Sequence, residues 1–393
     1  MIAFCSGPGQ SFVFSVFIDS MIEDTGFSRS GISTLYAIGS GVSAVTVALV
    51  SRAADRYGPR RILLFAGIGL GAACFLMAAA KSIFVFFIAF AALRALGQGS
   101  LPVNGTLLVA QWFIRYRARA VAVMTLGFAA STAVLPPLCR ELIVSVGWRE
   151  AYAVLGAIVL ILLLPGTLVL VRNRPEDVGL LPDGDEAPKD RLVKAATSSG
   201  PDRRKVFTSL TFWLLALPLA TPAFVGTALI FHQTGILAEQ GLSASVASGI
   251  FIPFAIASAI AVVAGGILID RFGPRKVFVG AMLLLLLALA WLQFVDSVVS
   301  ATIYAVMLGA SGAITQALSG VTWAYFYGRE RLGRIQGSGV MIAIAGAATA
   351  PLPLALLRDA FGEFGPGLLL MMTLPVASIV IIAAARPPSP PEY

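Results

Sequence analysis

Stretches of about 20 nearly uninterrupted apolar residues recur along the whole chain, separated by short polar gaps. A helix needs about 20 such residues to cross the ~30 Å hydrocarbon layer of a bilayer. The pattern predicts helical spans near 1–22, 31–52, 61–80, 84–113, 120–143 and 149–171, then near 210–235, 246–268, 277–295, 299–327, 335–357 and 364–385. One sizeable polar stretch, 172–209, rich in Pro, Asp, Glu, Lys and Ser, lies between the two sets and reads as a flexible or surface-lying tether. The expected architecture is all-α and integral to the membrane. It has an N-terminal six-helix bundle over 1–171, a cytoplasmic linker over 172–209, a C-terminal six-helix bundle over 210–385 and a cytoplasmic tail over 386–393. The first span starts at Met1 with no basic leader, which is not the layout of a cleavable signal peptide.

Composition agrees with that pattern. Of 393 residues, 58% are hydrophobic and 12% charged, against roughly 45–50% and about 25% in soluble domains. A water-soluble fold could not cover itself with so few polar side chains. The net charge of +8 does not point to nucleic acid, because the basic residues sit in the gaps rather than on one soluble face. Twenty-two of the 28 Lys and Arg residues fall in alternate gaps, in the central stretch or in the tail. By the positive-inside rule that side is cytoplasmic, and both termini with it. Cys5, Cys74 and Cys139 have no paired or metal-type spacing and read as small core residues.

A repeat is also visible. Asp55-Arg56-Tyr57-Gly58-Pro59-Arg60-Arg61 returns as Asp270-Arg271-Phe272-Gly273-Pro274-Arg275-Lys276, 215 residues later, and Gly26-Phe27-Ser28 returns as Gly241-Leu242-Ser243 at the same offset. Each half holds an even number of spans. The copies therefore enter the membrane in the same direction, giving a pseudo-twofold axis along the membrane normal.

Two six-helix halves, a long linker and a D-R-x-G-x-R/K loop after the second helix of each half resemble the major facilitator superfamily. GPGQSF in span one, GFSRSGIS before span two, GWREAY opening span six, RPEDVGLLPDG in the linker and YFYGRERLGRIQG before span eleven resemble its bacterial monocarboxylate-porter and oxalate/formate-antiporter-like branch. The resemblance implies secondary transport by alternating access and a solute cavity lined by spans one, four, seven and ten. It also implies a cytoplasmic gating role for Asp55, Arg56, Gly58 and Arg60 and for Asp270, Arg271, Gly273 and Arg275. A plainer role for these loops is to fix topology and helix ends: each aspartate precedes a helix start, each glycine permits the turn, and the arginines can pair with the acids.

Ionisable residues inside apolar spans are costly and point to function. Arg94 in span four lies four residues from Gln98, on one helical face, and could receive a carboxylate in bidentate fashion or brace neighbouring helices. His232, the single histidine, suits proton coupling or an interfacial site. Asp19 reads as an outer gate, a partner for Arg94 or a solvated helix end. Gln10, Ser11, Gln233, Ser311 and Gln316 complete the candidate solute site, while Asn104 and Ser258 are further mid-membrane polar groups that also serve helix packing. Gly39-Ser40-Gly41 reads as close packing, and Tyr36 as a possible cavity wall. Spans eight and eleven lack the basic residues that the resembled branch uses there.

The expected function is transport of a small organic anion such as a monocarboxylate, with a proton. The alternatives are proton-coupled efflux of a hydrophobic compound and a transporter-like sensor. No phosphate-binding loop, metal cluster or catalytic set is present in the sequence. A non-enzymatic, cofactor-free, monomeric protein of the bacterial inner membrane is expected, with a small-molecule substrate and the lipid bilayer as partners and no nucleic acid.

Overall fold

The computed structural model describes residues 1–113, 116–182, 210–327 and 332–384, and every regular element among them is helical. The chain divides into two compact units, Met1–Val193 and Lys194–Tyr393. In the first, span one consists of Ile2–Cys5, a 3₁₀ turn Gly7–Gly9, and Ser11–Thr25. Span two is Arg29–Tyr57 and span three Pro59–Ala78. Span four runs from Ile83–Leu93 through Arg94–Ser100 into Leu101–Trp112, and Arg117–Val146 and Trp148–Val169 are spans five and six. In the second unit, span seven is Leu210–Glu239, span eight Ala244–Gly249 with Phe251–Phe272, and span nine Pro274–Leu292. Span ten is Val298–Tyr327, span eleven Leu332–Thr349 with Pro351–Phe361, and span twelve Gly365–Ala384. Among the described residues, ten helices are long and apolar enough to cross a membrane. Span one is outside that set, its longest piece having 15 residues, and so is span two.

Span one is not the continuous helix that its apolar content predicts. Pro8 has no N–H with which to continue the hydrogen-bond ladder, and Gly7 and Gly9 flank it. The backbone leaves the helix at Gln10 (φ −92°, ψ 152°) and re-enters it at Ser11. Span four is interrupted differently. Arg94–Ser100 is π-helical, and this wider stretch ends next to Pro102, whose missing N–H removes one further ladder bond. Ser100 Oγ donates to the Ala95 carbonyl at 2.9 Å, and Asn104 Nδ2 to the Ser100 carbonyl at 2.8 Å. The two irregular stretches touch: a Cβ on Gly97 would lie 2.8 Å from the Gly9 Cα.

The 215-residue repeat is preserved in atomic detail. Gly58 and Gly273 end spans two and eight with φ 84°, ψ 148° and φ 79°, ψ 156°. This left-handed half of the map strains any side chain, so glycine is required at both turns. Ser28 caps span two by accepting from the Gly31 N–H, and Ser243 caps span eight by accepting from the Val246 N–H. Ser43 Oγ donates to the Arg94 carbonyl at 3.0 Å, and Ser258 Oγ to the Gly309 carbonyl at 3.1 Å. Donor and acceptor are displaced by the same 215 positions in each case.

The stretch directly after span six lies against the first bundle. Asn173 Oδ1 accepts from the Arg60 N–H at 3.0 Å, Trp112 Nε1 donates to the Arg172 carbonyl at 3.1 Å, and Pro175–Val178 form a 3₁₀ turn with Pro175 buried. Residues 183–209, the rest of the predicted linker, lie outside the described residues, as does the tail beyond Ala384.

Candidate functional site

Arg94 opens the π-helical stretch of span four and is 2% exposed. Its Nε donates to Ser40 Oγ at 3.1 Å, Nη1 to the Gly9 carbonyl at 2.9 Å and to Ser11 Oγ at 3.5 Å, and Nη2 to Tyr36 Oη at 2.9 Å. The guanidinium also lies 4.3 Å from the centre of the Tyr36 ring, an attractive cation–π geometry. Tyr36 Oη and Ser11 Oγ are themselves 2.7 Å apart. The Gly9 carbonyl is available because span one is broken there, and irregular backbone at membrane depth is tolerated only where protein groups satisfy it. Arg94 thus ties spans one, two and four together, with all three of its nitrogens engaged. Tyr36 and Ser40 are more than the wall and packing stripe expected of them: they hold a buried cation. Asp19 is not a partner of Arg94; it forms an ion pair with Arg29 at the start of span two. Gln98 is half-buried and makes no hydrogen bond with Arg94. Gln10 is buried, with Nε2 3.5 Å from Ser6 Oγ.

The second unit carries none of this polar set. The positions 215 beyond Gly9, Ser11, Tyr36, Ser40 and Arg94 are Phe224, Gly226, Phe251, Ala255 and Gly309. Spans one and four meet through Gly9 and Gly97. At the equivalent place a Cβ on Gly312 would meet nothing within 4 Å, and a cavity of ≈ 190 Å³ opens among spans seven to ten. Its walls include Pro222, Ile230, Phe254, Leu285 and Leu308, with Gly226 and Gly312 as bare backbone and Thr227 and Ser311 as its hydroxyls.

Ser311 is therefore on the cavity wall as well as donating to the Ala281 carbonyl at 2.9 Å. The other candidates of this unit are placed elsewhere. His232 is fully buried, its Nε2–H donating to the Pro351 carbonyl at 2.9 Å and its ring 5.3 Å from that of Phe364. Gln233 Nε2 donates to the Ala247 carbonyl at 2.7 Å. These two residues join span seven to spans eight, eleven and twelve. Gln316 is exposed. Gly226, Thr227, Phe254 and Gly312 escaped the sequence reading, because apolar and small residues carry no chemical signal of their own. The 215 offset by itself shows that Arg94 has no basic counterpart in the second half.

The gating loops also differ from expectation. Arg60 Nη2 donates to the Leu168 carbonyl at 2.6 Å, and Arg275 donates to the Ala383 carbonyl. These are again positions related by 215. Both acceptors lie in the last turns of spans six and twelve, where a helix presents unsatisfied carbonyls and the negative end of its dipole. The arginines thus cap neighbouring helices; of the loop acids with which pairing was expected, Asp270 forms no ion pair with Arg275 among the described residues. Arg56 and Arg271 are exposed and lie 5.3 Å from the ring centres of Tyr57 and Phe272. Asp270 is exposed, and the Asp55 side chain lies outside the described residues.

The chain matches the sequence profile of the Major Facilitator Superfamily over residues 1–253 and again over 223–393. It is 29% identical over 323 residues to the multidrug resistance protein MdtG of Escherichia coli, spanning 79% of this chain and 73% of that one. It is 27% identical over 172 residues to the riboflavin transporter RibJ of Trypanosoma brucei, spanning 42% of this chain and 30% of that protein. Its fold is shared with a bacterial homologue of the human lysosomal transporter Spinster, at a TM-score of 0.71 and 17% identity, covering 97% of this chain and 92% of the other.

Proposed function

The chain belongs to the Major Facilitator Superfamily, and on that premise we propose that it moves a small, mainly apolar organic solute by alternating access. In that mechanism the solute site opens to each side of the membrane in turn, and the uncharged part of the solute rests in the cavity of the second half. The chain is a multi-pass membrane transporter and not an enzyme. The observation that carries the choice of solute is the contrast between the halves. The buried guanidinium of Arg94 is already engaged by Gly9, Ser11, Tyr36 and Ser40, while the cavity is walled by apolar side chains without an ionisable group. Likeness to a protein named for multidrug resistance supports the same choice. Cytoplasmic termini, a bacterial inner membrane and a functional monomer complete the proposal, in line with the distribution of Lys and Arg.

A second reading keeps the small organic anion such as a monocarboxylate, moved with a proton. Arg94 favours it, because its bond to Ser11 at 3.5 Å is long enough to yield to a carboxylate. Counterflow in proteoliposomes with labelled neutral aromatic compounds and labelled small carboxylates separates the two. Saturable exchange of a neutral aromatic, retained in Arg94→Gln, is expected. Saturable exchange of a carboxylate that Arg94→Gln abolishes, in protein that remains folded, would install the second reading instead.

A further inference from the structure

We propose that Gly226 and Gly312 set the size limit for the solute, and that the cavity they line takes an uncharged aromatic ring bearing one hydrogen-bond donor. The inference rests on the reading of this cavity as the solute site.

Size comes first. An engineered apolar cavity of about 150 Å³ holds benzene, so ≈ 190 Å³ accommodates a six-membered ring with a small substituent. The two glycines border that volume. A Cβ built on either meets nothing within 4 Å, so neither is glycine because a neighbouring helix presses on it. Gly97, the counterpart of Gly312, is the opposite case: a Cβ there would lie 2.8 Å from the Gly9 Cα. Gly309 is likewise closed, with the Phe254 carbonyl 2.5 Å from its Cβ position. Helix interiors disfavour glycine. Two glycines that packing does not require, on two helices that line one cavity, leave open volume as the property they supply.

Chemistry comes second. Among the described residues Thr227 makes no hydrogen bond, and it lines the cavity. Ser311 spends its proton on the Ala281 carbonyl, which leaves its oxygen able to accept. The Phe254 ring and the aliphatic wall favour an aromatic partner. Among the described residues no Lys, Arg, Asp, Glu or His lines the cavity, so a charged solute group would be desolvated there without compensation. A neutral ring with one O–H or N–H matches this set.

The test uses 4-fluorophenol as probe and ¹⁹F line broadening on the full-length protein purified in detergent, with partition into empty micelles subtracted. Wild type is expected to broaden the resonance saturably. Gly226→Ala and Gly312→Ala should weaken binding several-fold, Gly312→Leu should abolish it, and Thr227→Val should weaken it about fivefold, the loss of one neutral hydrogen bond. The alanine variants keep the measurement meaningful if the leucine variant does not fold. Absence of saturable broadening in wild type overturns the proposal, and so does unchanged binding in the two alanine variants. Binding needs no flux. Size-dependent binding without any transport of aromatics in proteoliposomes would sink the transport reading of the cavity and leave the binding site standing.

Discussion

Arg94 shows how much one side chain can organise. Its guanidinium joins three helices through a carbonyl, two serine hydroxyls and a tyrosine. Truncation would leave the Gly9 carbonyl and Ser40 Oγ without the donor that Arg94 supplies, while Ser11 and Tyr36 keep each other, and each such loss costs about 1–3 kcal/mol. Arg94→Ala is therefore expected to lower the apparent unfolding temperature by several degrees in a detergent melt. Arg94→Lys should recover only part of the loss, because an ammonium cannot reproduce the planar fork. Tyr36→Phe keeps the ring under the guanidinium but removes the hydroxyl shared by Arg94 and Ser11. It should cost about 1 kcal/mol, clearly less than Arg94→Ala. An Arg94→Ala variant as stable as wild type would remove Arg94 from the brace. The residue was legible in the sequence as an arginine inside an apolar span. Its partners were not, since a backbone carbonyl such as that of Gly9 is exposed only by a break in a helix 85 positions away.

At the scale of elements, the turns after spans two and eight are equal in backbone and unequal in surroundings. A Cβ on Gly58 would lie 2.6 Å from Asn173 Oδ1, whereas one on Gly273 meets nothing within 4 Å. Both alanine substitutions pay the left-handed strain of roughly 1–2 kcal/mol. Gly58→Ala should cost more, and an Asn173→Ala background should narrow the difference, as a double-mutant cycle on thermal stability would reveal. Equal costs in both backgrounds would mean that Asn173 does not dock on this turn. The turn itself could be read from Asp-Arg-x-Gly-Pro. The docking could not, because 172–182 has the polar, Pro-rich composition of a tether, and one asparagine meeting one free N–H settles its place.

Across the whole molecule, the two halves are built on one plan at both membrane faces. Asp24, at the end of span one, accepts from Trp148 Nε1 at 3.3 Å and Arg149 Nη2 at 2.6 Å at the start of span six. Its counterpart Glu239, at the end of span seven, accepts from the Phe364 N–H at 2.8 Å next to span twelve and pairs with Arg358 at 3.4 Å. The Glu239–Arg358 pair is partly exposed and contributes little, so the bond to Phe364 N–H, an acid at a helix start, is the larger part. Asp24→Ala and Glu239→Ala are each expected to lower stability by about 1 kcal/mol, and Arg358→Ala by less than half of that. An Arg358→Ala loss equal to that of Glu239→Ala would assign the effect to the ion pair.

Length, apolar runs, the spread of Lys and Arg and the 215-residue repeat were enough to determine a duplicated helical membrane protein; the D-R-x-G-x-R/K loops carried its resemblance to the Major Facilitator Superfamily, to which the chain belongs. Helices in a bilayer must satisfy their own backbone bonds, so hydropathy alone announces them. Tertiary structure decided which side chains were committed to holding helices and which were left facing space. Arg94, His232 and Gln233 proved to be held by protein partners. Gly226, Thr227 and Gly312, silent in the sequence, line a cavity because nothing packs onto the two glycines, whereas Gly9 and Gly97 press on each other. A cavity is a property of distances between helices, and no single stretch of chain encodes it.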